Sequence, residues 1–261
     1  MNCPVKFRLF ILCILSLSAG HFTSASMNFF TETWESGSTS GNWHSWGWPS
    51  PVLSSSANAV GSYSMDPNGD SSYHSGMVSS QMYTLSAGVS LTVAAYIESA
   101  AQWSELNFGI TDSNSFPTNP NTNEFSIATL TIDADTQNTG HKLFANFTGS
   151  GGTQTVSDNE AATAFFDAWH NYTFTFLENG SATIAIDNET VFTSSAGLFD
   201  YSVDSSFSIL LAGRSYGVTT NLYDTVELQQ IPEPSSYAGL LILVTAMLAV
   251  AKKRLRSDQA V

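Results

Sequence analysis

Cysteine and positive charge are nearly absent from most of this chain. Both cysteines, Cys3 and Cys13, fall in the first apolar segment. No disulfide can therefore form between residues 26 and 231, and any fold there rests on its core. Of eight Lys and Arg, only Lys142 and Arg214 lie in that stretch. Of 22 Asp and Glu, only Glu233 and Asp258 lie beyond it, which leaves 20 acids against two bases and a net charge of −18. Such a surface repels phosphates and anionic lipid, which excludes nucleic-acid binding. The signatures of common hydrolases are missing too. The five histidines are isolated, with no His-Glu-x-x-His for zinc, and the abundant serines never form a Gly-x-Ser-x-Gly elbow.

What is present is a uniform texture of Ser, Thr, Asn and Gly between short β-branched and aromatic runs. Val89, Leu91 and Val93 alternate with Ser90 and Thr92, and Tyr172, Phe174 and Phe176 alternate with Thr173 and Thr175. Ile184 and Ile186 bracket Ala185, and Phe207, Ile209 and Leu211 repeat the pattern. A period of two predicts half-buried strands. Asn179-Gly180, whose residues both tolerate positive φ, predicts a hairpin between 172–177 and 182–186. Asp187-Asn188 ends the next strand, and Gly149-Ser150-Gly151-Gly152 joins two more. One helical turn is expected at Glu160–Asp167, with Ser157 and Asp158 as cap candidates. Many short antiparallel strands over about 205 residues predict an all-β, two-sheet antiparallel jelly-roll sandwich for residues 26–230.

The two ends differ from this body. Lys6 and Arg8, the apolar run from Leu9 to Leu15 and the small residues Thr23-Ser24-Ala25 predict a signal peptide over 1–25. At the other end, Ile231-Pro232-Glu233-Pro234 breaks regular structure. Residues 237–251 carry no charge, and Lys252, Lys253, Arg254 and Arg256 follow at once. As a helix the uncharged span is about 22 Å long, short for a hydrocarbon core but extendable by snorkelling lysines. The expectation is a single transmembrane helix with the basic cluster, and the tail 257–261, on the cytoplasmic side.

Pro232-Glu233-Pro234, a short apolar helix and a terminal Lys/Arg cluster together resemble the PEP-CTERM sorting signal, over residues 231–256. That resemblance implies a bacterial protein exported to the surface or an exopolysaccharide matrix. Its partner would be an exosortase-type membrane transpeptidase that processes the tail near Pro-Glu-Pro. Within the body, Glu32-Thr33-Trp34-Glu35-Ser36-Gly37 with Asn42-Trp43 resembles the opening of extracellular jelly-roll modules. Trp169-His170-Asn171-Tyr172-Thr173-Phe174 and the closing Leu222–Leu228 resemble concanavalin A-like, laminin-G-like domains. Glucanases of that fold carry Glu-x-Asp-x-x-Glu on one strand, and this chain has no such spacing. Asp133-Ala134-Asp135 places two carboxylates on one sheet face without the third.

The missing catalytic spacings predict a non-enzymatic module, and the resemblance implies extracellular polysaccharide as its partner. It also implies a structural Ca2+ where first and last strands meet, with Glu35 and Asp224 as ligands. Trp43, Trp46 and Trp48 are the candidates for stacking on sugar rings, against the alternative that they fill the core, as Trp34 and Trp169 are expected to. Asp66-Pro67-Asn68-Gly69-Asp70 is a second oxygen-rich turn without EF-hand spacing, better read as an Asx turn. A matrix protein with no specific ligand, and a divergent glycoside hydrolase or lyase, are the rival readings.

Overall fold

The computed structural model describes residues 27–39, 41–47, 49–68, 74–99, 103–112, 126–135, 140–204, 206–216 and 220–231. The expected signal peptide 1–25, Trp48, Gly69 and Asp70 lie outside the described residues. So do Pro232, Glu233, Pro234, the span 237–251, the basic cluster and the tail 257–261. The elements described below belong to one compact unit, Asn28–Glu233. A second unit, Met1–Met27 with Pro234–Val261, is outside the description apart from Met27. Among the described residues no helix is long and apolar enough to cross a membrane.

In chain order the strands are β1 (Met27–Glu32), β2 (Trp43–Gly47), β3 (Val52–Ser54), β4 (Ser64–Asp66), β5 (Ser75–Ser79), β6 (Tyr83–Thr84), β7 (Val89–Ile97) and β8 (Trp103–Thr111). They continue with β9 (Ser126–Asp135), β10 (Gly140–Gly149), β11 (Gly152–Ser157), β12 (Trp169–Phe176), β13 (Ala182–Ile186), β14 (Glu189–Thr193), β15 (Ser206–Tyr216) and β16 (Asn221–Gln230). The first sheet runs β14-β13-β12-β7-β16-β4-β3, with β1 beside β16. The second runs β11-β10-β9-β8-β15-β5-β2, with β6 beside β15. Neighbours pair antiparallel, so the expected all-β sandwich of two antiparallel sheets is what the chain forms.

The core follows from the alternation. Leu91, Val93, Tyr172, Phe174, Phe176 and Ile184 point inward from the first sheet. They meet Leu106, Phe108, Leu130, Ile132, Leu143, Phe147, Ile209 and Leu211 from the second. Phe108 stands edge-on to Tyr172, Phe174 and Tyr223, with ring centroids 5.1–6.1 Å apart, joining β8 to both β12 and β16 across the interior. At roughly 1.5–3 kcal/mol for each large apolar side chain buried, this core can hold the body without a disulfide.

The turns differ in detail from the sequence expectation. At Asn179-Gly180 only Gly180 takes positive φ, at 72°. The loop Glu178-Asn179-Gly180 is closed by Gly180 N–H on Leu177 O (3.0 Å) and Leu177 N–H on Ser181 O (2.8 Å). A three-residue loop needs one left-handed residue, whereas a two-residue loop needs two. Asp187 and Asn188 are such a pair, with φ 49° and 73° between Ile186 and Glu189, which are partners. The expected helical turn is a 3-10 helix, Ala161–Phe165, in which Asp158 Oδ1 accepts the Ala161 N–H at 3.2 Å.

Candidate functional site

The two outer faces of the sandwich treat their hydroxyls differently. On the first sheet, Thr92 and Thr173 hydrogen-bond across β7 and β12 at 3.1 Å, and Ser90 and Thr175 do so at 3.4 Å. On the second sheet Thr148 bonds Thr153 and Thr155 bonds Asn146, but others are left over. Asn107 faces Thr131, Gly109 faces Thr129 and Ser208 faces Thr111, all on the side away from Leu106, Phe108 and Leu130. Asn107 Oδ1, Thr129 Oγ1, Thr131 Oγ1 and Ser208 Oγ are buried there without a hydrogen-bond partner. Each such group costs about 1–3 kcal/mol unless something supplies a bond. All four lie on one face, with Thr129, Thr131 and Ser208 at most 2% exposed.

The register also supplies the ends of this face. One row crosses the sheet as Trp46, Gly76, Ala212, Asn107, Thr131 and Phe144. Trp46 and Phe144 are half-buried, and the Trp46 Nε1 is a further buried atom without a partner. Five inter-strand steps separate the two rings, about 24 Å. Between them Gly76 and Ala212 keep the floor low. A Cβ on Gly76 would meet Leu211 O at 2.1 Å, so glycine is required there.

A second row, beside the first, carries charge. His74, Arg214, Glu105, Asp133 and Lys142 follow one another across the sheet, with Arg214 opposite Glu105, Glu105 opposite Asp133 and Asp133 opposite Lys142. Arg214 Nε and Nη2 both donate to Glu105 Oε2, at 2.9 and 2.8 Å, and His74 Nε2 lies 3.1 Å from Oε1. Lys142 Nζ is 3.8 Å from Asp133 Oδ2. Burial pushes the Glu105 carboxyl up, but His74 and Arg214 outweigh it and hold the group below its usual range. Glu105 is thus an ionised, fully engaged carboxylate. A glycosidase of the two-carboxylate type needs one member that keeps its proton.

The candidates named from sequence are placed as follows. Trp43 is corrected to a core residue: it is 6% exposed and packs on Trp34 (5.4 Å) and Phe30 (5.6 Å), while its Nε1 donates to Glu32. A ring buried on both faces offers no platform to a sugar. Trp46, three residues on and on the opposite side of β2, is the one that lines the polar face. Trp34 is fully buried, as expected, whereas Trp169 is corrected to a half-buried ring on the outer face of the first sheet, against Tyr96. Asp133 lies in the charged row. Glu105 was not singled out, although Glu105-Leu106-Asn107-Phe108 alternates polar with apolar residues.

Glu35 and Asp224 are brought to one loop, residues 57–63. Trp34 adopts a left-handed φ of 60°, and a bulge between Tyr223 and Val226 re-aims Asp224. Asp224 Oδ2 accepts the N–H groups of Ala59 (2.6 Å) and Val60 (2.9 Å), and Glu35 Oε1 accepts those of Ser62 (2.7 Å) and Tyr63 (2.9 Å). Burial, opposed by those N–H groups and aided by the Glu35 charge, raises the Asp224 carboxyl above its usual range. Asn58 Oδ1, in the same loop, is buried without a partner. Two carboxylates and one orphaned amide oxygen are the hard donors that a calcium ion takes. Among the described residues no three His, Cys, Asp or Glu side chains converge on a metal position. At the other oxygen-rich turn, Asp66 Oδ1 accepts the Asn68 N–H at 2.7 Å, an Asx turn.

No protein-family profile matches the chain, and no curated protein matches it. Solved structures do. The carbohydrate recognition domain of Emp47p aligns with a TM-score of 0.56 at 10% identity, over 81% of this chain and 99% of that one. The globular domain of T. cruzi calreticulin aligns at 0.55 and 9%, over 87% and 99%. A glycoside hydrolase family 16 endo-glucanase from Bacteroides ovatus aligns at 0.50 and 11%, over 77% and 99%. At such identities the likeness is one of fold: the body is a jelly-roll sandwich of the kind found in carbohydrate-recognition and glycoside hydrolase domains.

Proposed function

We propose that this protein is an exported, non-enzymatic glycan-binding module. The face that binds is the outer face of the second sheet, and the observation that carries the reading is its cluster of unpartnered polar atoms. Trp46 and Phe144 offer half-buried rings to the apolar faces of sugars, on the same face as the unpartnered polar groups of Asn107, Thr129, Thr131 and Ser208. The fold is compatible with this role. Catalysis is disfavoured because, among the described side chains, the carboxylates on the face, Glu105 and Asp133, each have a cation beside them. Binding of the purified protein to an immobilised glycan panel tests the reading. Trp46→Ala and Asn107→Ala should each weaken capture about tenfold without releasing reducing sugar at any stage. Capture unaffected by both variants would refute the site, and sugar release would establish a hydrolase.

Two further parts of the proposal concern the ends and the loop. The Pro232-Glu233-Pro234 tail directs exosortase-type sorting to the surface or matrix; mass spectrometry of the mature protein should find its C-terminus near Pro234, and an intact Lys252–Arg256 segment would contradict this. Glu35, Asp224 and Asn58 hold a structural calcium ion. Calcium should then raise the melting temperature by mass action, Asp224→Asn should remove that increment, and a curve indifferent to EDTA would exclude the ion.

A further inference from the structure

From the charge pairing on the candidate face we infer that its ligand is an uncharged glycan, selected against both acidic and amine-bearing polymers. The inference rests on the glycan-binding reading and adds the class of sugar. Between residues 26 and 231 only two bases exist, and both stand in the same cross-strand row. Each has a carboxylate of the same row beside it. Arg214 spends Nε and Nη2 on Glu105, and Lys142 faces Asp133. The acids are engaged to different degrees: Glu105 has His74 on its other oxygen, and Asp133 has Lys142 at 3.8 Å. Among the described side chains, the face therefore presents hydroxyls, an amide and two rings beside a row whose charges cancel.

A site that binds a polyanion needs unpaired cations and weakens as salt rises; one that binds an ammonium needs an unpaired carboxylate. This face supplies neither. The net charge of −18 adds long-range repulsion of polyanions, but that repulsion is screened at high salt, where the Debye length falls to about 3 Å. High salt thus separates the two causes. If only net charge excluded acidic glycans, about 1 M salt would admit them. If the face lacks the groups to hold them, it would not.

The test is a titration of the whole protein with soluble uncharged glucans and mannans, a polyuronate, a sulfated galactan and chitosan, each at about 0.05 M and 1 M NaCl. We expect an uncharged polymer to bind with a Kd that changes less than twofold between the two salts, and the acidic polymers to fail at both. Asp133→Asn removes the carboxylate beside Lys142. It should confer polyuronate binding at low salt at least fivefold above the parent, lost at high salt. Tighter binding of a polyuronate or sulfated galactan than of every uncharged polymer would overturn the inference and leave the glycan-binding reading standing. So would chitosan binding by the parent that falls tenfold with salt, or no gain in Asp133→Asn. Failure of every polymer would remove the glycan-binding reading itself.

Discussion

Asp66 shows how a single side chain couples this fold to pH. It sits in β4 opposite Val52, and burial raises its carboxyl to about 6, only partly opposed by the Asn68 N–H. Because the folded value lies above the ordinary aspartate value of 3.8, the folded state holds the proton more tightly than the unfolded one. The associated stability is present below about pH 4 and is lost as pH rises through 6. Asp66→Asn keeps the acceptor and removes the charge, so it should raise stability at pH 7 by as much as ~3 kcal/mol and do nothing at pH 3.5. Denaturant unfolding at the two pH values checks this; an equal effect at both would show that titration is not the cause. Glu105 has the opposite sign. Its folded carboxyl is held low, so the stability it contributes exists at neutral pH and fades as pH falls through that lowered value.

Among the elements, hairpins and strap loops share close backbone contacts that fix where glycine is needed. Gly180 and Gly197 both have left-handed φ, 72° and 73°. A Cβ at Gly180 would meet Phe199 O at 2.5 Å, whereas one at Gly197 would meet nothing within 4 Å. Gly197→Ala should cost about 1 kcal/mol for the conformation alone, and Gly180→Ala about 2 kcal/mol more for the clash. Equal costs from chemical denaturation would mean the 177–181 loop is not held by the Phe199 segment. The strands themselves were legible where alternation is clean, as in β7, β12, β13 and β15. β2 was not, because Trp43-His44-Ser45-Trp46-Gly47 has turn composition, and only pairing with β5 makes it a strand. That pairing also separates Trp43 from Trp46, sending one to the core and the other to the polar face. Asn107, Thr129, Thr131 and Ser208 carried no local signal, because Ser, Thr and Asn are spread throughout the body. Their convergence is a matter of register between β8, β9 and β15, which no local pattern encodes.

For the whole molecule, one core and two outer faces divide the work. The core explains why no disulfide is needed, and the first sheet's outer hydroxyls close on one another. On the second sheet Asn107, Thr129, Thr131 and Ser208 do not, and the central claim is that this face binds a glycan. The most direct measurement is the change in backbone amide resonances when the labelled protein is titrated with the uncharged glycan that binds it best. The account predicts shifts concentrated on β8, β9 and β15, at Asn107, Thr129, Thr131 and Ser208, and at Trp46 including its indole N–H. Ser90, Thr92, Thr173 and Thr175 on the first sheet should not move. Shifts centred on those four residues, with the second sheet silent, would contradict it.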